Sequence, residues 1–471
     1  MNARRGWHAT VILTIIIYWS LQIDCIEDDG DGNPRLPFAK HEFVARLSGG
    51  LLSSADDAVS DFDFDTDKDV ALIGTWTRYY QTENKRPDAA LQHSATMYAC
   101  RGMLRTYSID CVDITLPASD FVARGYPVVR RLRDFWIVVG ASGLPSSNDG
   151  QIAVFVLVAE RRGAWTRVAS PENNYFIDTV SDAIVYRGEF CLAGSRHGAA
   201  VLVCKNMDSL LKGSKWHTRF YSDRDKSVAS LATFSKFAGH DDDSLFIGTE
   251  TAGGYRVLCS HGDIYRWDVI VDSGFGEGAS RAATAMAHWN GHLYVGTSPA
   301  LPTIKTKTTR TRSDDGRDEE VTVIKGAELI RIDAAGSVRL IMGDVTPVVP
   351  TVAVPDTRDA PTSGLSSGFG DPERNARISR IANTTRLDGS SKLFAGTFDA
   401  SHLSGFGLWT STDENEGLVG WQSMAPMFFD KKRGHVDVTA MKKASREEDG
   451  KLYVGIGSIV GDGFSVYEIK I

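Results

Sequence analysis

The chain has 471 residues, of which 42% are hydrophobic and 24% charged, with 45 glycines, 15 prolines and a net charge of −8. That composition describes a turn-rich globular protein without long helix-forming tracts, and an acidic balance gives no basic footprint for nucleic acid. A length beyond the ~100–200 residues of an ordinary domain requires either several domains or a repeated unit.

The chain opens with MNARRGWH and an apolar run from Val11 to Ile23. A positive n-region before a core shorter than a span of ~20 residues predicts a signal peptide over residues 1–25. An uncleaved membrane anchor over residues 11–23 is the alternative. Residues 26–69 read as a polar, acidic lead-in. Asp29, Asp31 and Asn33 approximate the start of a calcium loop, but Pro34 and Lys40 stand where Gly and a bidentate Glu are needed. The segment therefore reads as a solvated linker, and the alternation in DFDFD suits an edge strand.

From about residue 97 one unit recurs. An apolar strand ends in Gly, often Gly-Thr, and the units centre on Met97, Trp136, Phe190, Leu245, Leu293, Leu393 and Leu452. A loop and a second apolar strand follow, then a polar turn and a tryptophan such as Trp165, Trp216, Trp267 or Trp421. Each unit is a small antiparallel sheet that cannot bury both faces alone, so neighbours must stack radially. The expected fold is an all-β, seven-bladed β-propeller over residues 70–471, with six blades as the alternative. The strand glycine implies either a positive φ or a close backbone approach, and the tryptophans imply packing between blades. The last blade ends one strand short at FSVYEIKI, and Val70–Tyr80 is the expected closing strand, which would remove an exposed edge.

Two insertions, at about 298–325 and 345–377, enlarge loops that share one face of such a ring. The basic-then-acidic tract from Lys305 to Glu320 reads as disordered. The segment SGLSSGFGDPERN from Ser363, followed by LFAGTFDAS, GFGLW and STDENEGLVGW, resembles a family of secreted bacterial-type propellers with LYVGT…GxxLW repeats, mainly over residues 343–471. The resemblance implies a propeller and an exported location, and no reaction. Gly364–Gly368 also fits G-x-S-x-G, but that motif needs a strand and a helix around Ser366, and a Pro-rich loop supplies neither.

In an oxidising compartment Cys100 with Cys111, and Cys191 with Cys204, have the spacing of cross-hairpin disulfides, whereas Cys259 reads as buried and inert. Asn383 begins an N-glycosylation sequon. Polar residues expected on the loop-insertion face are Arg196, His197, Glu250, Asp399, His402, His435 and Asp437. A ring of such groups can bind sugar hydroxyls, a carboxylate or a divalent cation. The expectation is therefore a secreted or cell-surface monomer that binds a glycan or protein, with no catalytic residues assigned and no required cofactor, calcium being admitted. A polysaccharide hydrolase or lyase is the alternative; a sialidase-like version would need arginines such as Arg196, Arg374 and Arg377 to converge.

Overall fold

The computed structural model describes residues 42–48, 56–77, 95–104, 109–116, 121–132, 134–142, 151–158, 165–169, 177–211, 215–240, 242–262, 264–274, 280–299, 305–312, 318–324, 326–343, 364–372, 374–385, 389–400, 405–412, 420–424, 435–443, 451–458 and 464–470. The chain divides into Met1–Leu36 and Pro37–Ile471, and all described residues fall in the second unit.

The first strand is β1 (Glu42–Ser48). From there the chain lays down antiparallel strands in up-and-down order. β2 (Asp56–Asp65), β3 (Val70–Thr77), β4 (Met97–Arg101) and β5 (Asp110–Asp113) form the first meander. The second is β6 (Gly125–Leu132), β7 (Phe135–Ala141), β8 (Ile152–Leu157) and β9 (Trp165–Ala169). The third is β10 (Thr179–Tyr186), β11 (Glu189–Arg196), β12 (Ala199–Asn206) and β13 (His217–Ser222). β14 (Ser227–Phe234), β15 (Ser244–Glu250), β16 (Val257–His261) and β17 (Asp268–Val271) make the fourth. In the fifth, β18 (Ser280–Trp289) and β19 (His292–Pro299) are followed by a separate hairpin, β20 (Lys305–Arg312) with β21 (Asp318–Ile324), before β22 (Leu329–Asp333) and β23 (Val338–Met342) complete the sheet. β24 (Arg377–Thr385), β25 (Ser391–Phe398), β26 (Leu408–Thr412) and β27 (Gln422–Ser423) form the sixth. The seventh is β28 (His435–Lys443), β29 (Leu452–Ser458) and β30 (Ser465–Lys470), with β1 as its fourth strand, Glu42 opposite Lys470 and Ser48 opposite Ser465.

Among the described residues the first strands of the seven meanders, β2, β6, β10, β14, β18, β24 and β28, touch in succession, and β28 returns to β2. This closed ring of inner strands is the plan of a β-propeller. Apolar clusters fill the seams: Phe234, Phe246 and Val257 of the fourth meander pack with Leu293, Val295 and Ile330 of the fifth, and Val59, Ile73 and Tyr98 of the first pack with Tyr453 and Val466 of the seventh.

Each inner strand is bulged opposite the glycine of the second strand. The register slips between Val59 and Asp61, Val228 and Ser230, Ala283 and Ala285, and Ile378 and Arg380, beside Gly74, Gly248, Gly296 and Gly396. A bulge adds one residue and sharpens the twist. Here it turns a hydroxyl towards the next meander: Ser60 donates to the Tyr126 carbonyl (2.7 Å), Ser230 to Ala283 (2.6 Å) and Thr284 to Ile378 (2.6 Å). The glycines do not turn the chain, since none of these four has a positive φ. Their role is close approach: a Cβ on Gly248 would lie 2.7 Å from Ala283 Cβ, and one on Gly296 2.5 Å from Ile378 Cγ2. The threonine of Gly-Thr ties the end of the second strand to its surroundings. Glu328 N–H donates to Thr297 Oγ1 (2.9 Å), and Thr397 Oγ1 donates to Asn375 Oδ1 (2.6 Å).

Several sequence expectations are corrected. The strand equivalent to the other Gly-ending strands in the first meander is β3, with Gly74; the Met97 strand is the third strand of that meander. Val70–Thr77 is therefore internal, and the strand that closes the ring is β1. The segment read as a lead-in contains β1 and β2, and DFDFD belongs to an inner strand. The tract from Lys305 to Glu320, read as disordered, contributes both strands of a hairpin in which Arg310 stands opposite Glu320 and Arg312 opposite Asp318.

The tryptophan expectation holds at two seams, where Trp165 Nε1 donates to Ile114 O (2.8 Å) and Trp267 Nε1 to Arg219 O (3.1 Å). Both disulfides form. Cys191 and Cys204 face each other on β11 and β12, whereas Cys100 and Cys111 join the third and fourth strands of the first meander. Such pairs fit an oxidising, extracytoplasmic setting. Among the described residues no helix is long and apolar enough to cross a membrane.

Candidate functional site

In an up-and-down meander the turns between second and third strands emerge on the same face as the connections between meanders. One insertion joins β19 to β22, a second to a third strand, and the other joins β23 to β24, two meanders, so both leave the ring on this face, here called the upper face. The strand glycine gives a common frame: Arg196 and Glu250 stand two residues after it, and His197 and Asp399 three residues after it.

These positions turn out to be seam positions. The Asp399 N–H donates to Val436 O (2.9 Å), as Thr77 N–H does to Arg124 O (2.8 Å) and Thr251 N–H to Arg281 O (2.9 Å). Asp399 is fully buried beside the strand bridge between Phe398 and Asp437. Asp437 is likewise buried and accepts from Arg377 Nη2 and Ser379 Oγ, each at 2.6 Å. Arg377 completes the seam by lying over the Phe398 ring at 4.9 Å. The structure therefore brings Asp399 and Asp437 to one seam with Arg377 and the backbone of His435, which pairs with Ser458. His402 lies outside the described residues.

The remaining candidates are separate. Arg196 lies over Tyr221 at 5.5 Å. His197 occupies a tight turn at φ 52°, with Nδ1 3.7 Å from Asp178. Glu250 Oε2 accepts from Ser227 Oγ at 3.4 Å. Arg374 pairs with Asp371 at 3.1 Å. The arginines named for a converging site are thus each engaged by their own partner. The sequon residue Asn383 is inside β24, and its amide donates to His288 O at 2.8 Å across to the fifth meander, so the nitrogen that would carry a glycan ties two meanders together.

Two polar clusters were not foreseen. On the upper face the buried Asp225 accepts from Arg256 Nη1 (2.8 Å), Ser222 Oγ (2.7 Å) and Thr249 Oγ1 (3.0 Å). Around the inner edge of the ring, Asp61 pairs with Arg130 and accepts from Val129 N–H (3.0 Å), with Lys442 Nζ 3.9 Å away. Arg130 reaches on to Asp182 (3.4 Å), which accepts from Leu231 N–H (2.9 Å). Burial opposes the charge on Asp61, but Arg130, Lys442, Val129 N–H and Arg380 together hold its carboxyl below the ordinary value. Burial and Arg130 push Lys442 down against Asp61, Asp63 and Asp182. The sequence signal for this cluster was DFDFD itself, an alternation of acids with apolar residues.

Glu189 stands beside Cys191 and Cys204, a grouping of metal-binding type. Both thiols are spent in the disulfide and Glu189 accepts from Arg219, so the donor set does not fit a metal.

No protein-family model and no curated protein matches the chain. Solved structures similar to it include the GH74 xyloglucanase from Xanthomonas campestris, at 14% identity over 91% of this chain and 53% of that one, with TM-score 0.48. An ancestral GH74 enzyme matches at 12% identity over 88% and 48%, with TM-score 0.50. Sqt1 from Chaetomium thermophilum matches at 11% identity over 88% and 96%, with TM-score 0.43. The chain spans about half the length of the two GH74 structures. At such identities the likeness concerns the fold alone, and the closed ring of meanders places the chain among the β-propeller proteins.

Proposed function

We propose that the protein is an exported propeller that binds a glycan or a protein through its upper face. The observation that carries this reading is the hairpin β20–β21. The third meander joins its second and third strands through His197 and Gly198 alone, whereas the fifth places a two-stranded sheet of its own at the corresponding turn. Extra backbone on one loop class of a rigid ring is where binding residues concentrate. The separate engagement of Arg196, Arg374 and Arg377, and the enclosure of Asp437 by Arg377 and Ser379, support binding over hydrolysis.

The test is a glycan array, with and without calcium, comparing residues 26–471 with a variant whose residues 302–324 are replaced by a short Gly-Ser turn. Selective binding by the parent, lost in a variant that keeps its thermal midpoint, is the expected result. Release of sugar products from a polysaccharide library by both proteins would overturn it in favour of an enzyme. Absence of glycan binding would direct the same pair of proteins to a pull-down for a protein ligand.

A further inference from the structure

The lower face, opposite the insertions, carries a column of five aromatic rings across the seam between the fourth and fifth meanders. His240 stacks on His261 at 4.2 Å and His261 on Phe237 at 5.6 Å; Phe237 meets Phe234 at 5.4 Å and Phe234 meets His288 at 4.7 Å. Phe237 and His240 lie in the turn between β14 and β15, His261 ends β16, and His288 lies near the end of β18. The turn is strained, since Lys236 and Ala238 both adopt left-handed conformations (φ 60° and 53°) that disfavour a side chain. It is held at three points, by the fifth meander and the third. Ala238 N–H donates to Ala334 O of the fifth meander (2.7 Å), and Tyr186 OH of the third donates to Asp243 O (2.7 Å). Arg187 pairs with Asp242 (2.7 Å).

We propose that this column is an acid-operated latch: protonation of His261 and His288 releases the turn Ser235–His240 from the fifth meander while the strands of the ring stay paired. The groups facing the imidazoles come from every neighbouring element. His261 has Ser244 Oγ on Nδ1 at 3.0 Å, Cys259 Sγ 3.8 Å from Nε2 and Asp268 at 3.9 Å. His288 feels the charges of His292 and Asp243, and its Nε2 is buried without a hydrogen-bond partner. A proton arriving there finds no acceptor, and burial together with the neighbouring His240 opposes a charge on His261.

Burial first, and then His240, hold His261 below the ordinary imidazole value against the pull of Asp268; burial and His292 do the same to His288 against Asp243. Groups depressed in this way stabilise the closed turn fully above the unfolded value of 6.5. Their contribution is lost as the pH falls from there through the folded values, because the open form binds more protons. Cys259 takes no part: burial first, with Asp268 adding, pushes its thiol up to about 12.

The test is hydrogen exchange of residues 26–471 at about pH 7.5 and about pH 5.5, expressed as protection factors so that intrinsic exchange cancels. Protection of residues 235–240 is expected to fall about tenfold or more at the lower pH, while β25 in the sixth meander changes less than about twofold. The double variant His261→Phe with His288→Phe keeps the rings and removes both depressed imidazoles, and its acid-induced loss should shrink below about threefold. Should the double variant fold poorly, His261→Phe and His288→Phe made singly should each shrink the acid-induced loss, and a full loss in both would overturn the latch in the same way. Unchanged protection at low pH, an equal loss in all meanders, or a full loss in the variant would each overturn the latch. None of these outcomes depends on the ligand of the upper face.

Discussion

Gly396 is the kind of residue on which the ring turns. A Cβ there would lie 2.5 Å from Val438 Cγ1 and 2.6 Å from Val438 Cβ, on the inner strand of the next meander. Gly396→Ala is expected to cost about 1–3 kcal/mol through overpacking, read as a lower urea midpoint. Gly253, with nothing within 4 Å of its would-be Cβ, is the control, and Gly253→Ala should stay within about 0.5 kcal/mol. The repetition of these glycines was legible in the sequence. Their purpose was not, because the atom that forbids a side chain comes from the inner strand of the next meander, far along the chain. Asp399 shows the same limit: a strand running into an acid looks like a ligand group, yet its N–H and its burial place it in a seam. A substitution there would therefore report on stability before it reported on binding.

At the scale of elements, the apolar second and third strands were legible because their pattern is continuous, as expected of strands buried on both sides. Burial runs unbroken through Leu452–Ser458 and through Ile152–Leu157. β2 was legible only as an alternation, since its partners across the inner edge are Arg130, Arg131 and Lys442, and acids facing cations look like acids facing water. The basic and acidic halves of the Lys305–Glu320 tract looked disordered for a similar reason: opposite signs set against each other in the register of a hairpin carry no hydrophobic signal. The disulfides were read correctly because each pair spans a short loop. Cys191 and Cys204 are separated by 13 residues, and replacing both with serine should lower stability by about 3 kcal/mol. A thermal midpoint equal to that of the parent would show that the register of β11 and β12 suffices without the bond.

For the whole molecule, the decisive element is β1, which supplies the outer strand of a sheet otherwise made by the C-terminal residues. A chain beginning at Gly49, and so lacking β1, should melt at least about 5 °C below one beginning at Pro37 and should self-associate through the exposed edge of β30. Calorimetry with light scattering checks both, and equal midpoints would mean that three strands complete the seventh sheet. Acid adds a second test of scale. Asp61 and Asp65, both held below the ordinary carboxylate value against burial, stabilise the fold above about pH 3.8 and lose that contribution as the pH falls through their folded values.

The joining of β1 to β30 also sets a timetable for the newborn chain. More than four hundred residues separate the two strands, which at about 5–20 residues per second is a wait of tens of seconds during synthesis. Throughout that interval the six earlier sheets can pair locally, each from its own neighbouring strands, while β1 has no partner to join. Closure is then the slowest kind of contact, one between distant parts of the chain. Whatever machinery makes this protein must shelter one unpaired strand until the residues of β30 emerge.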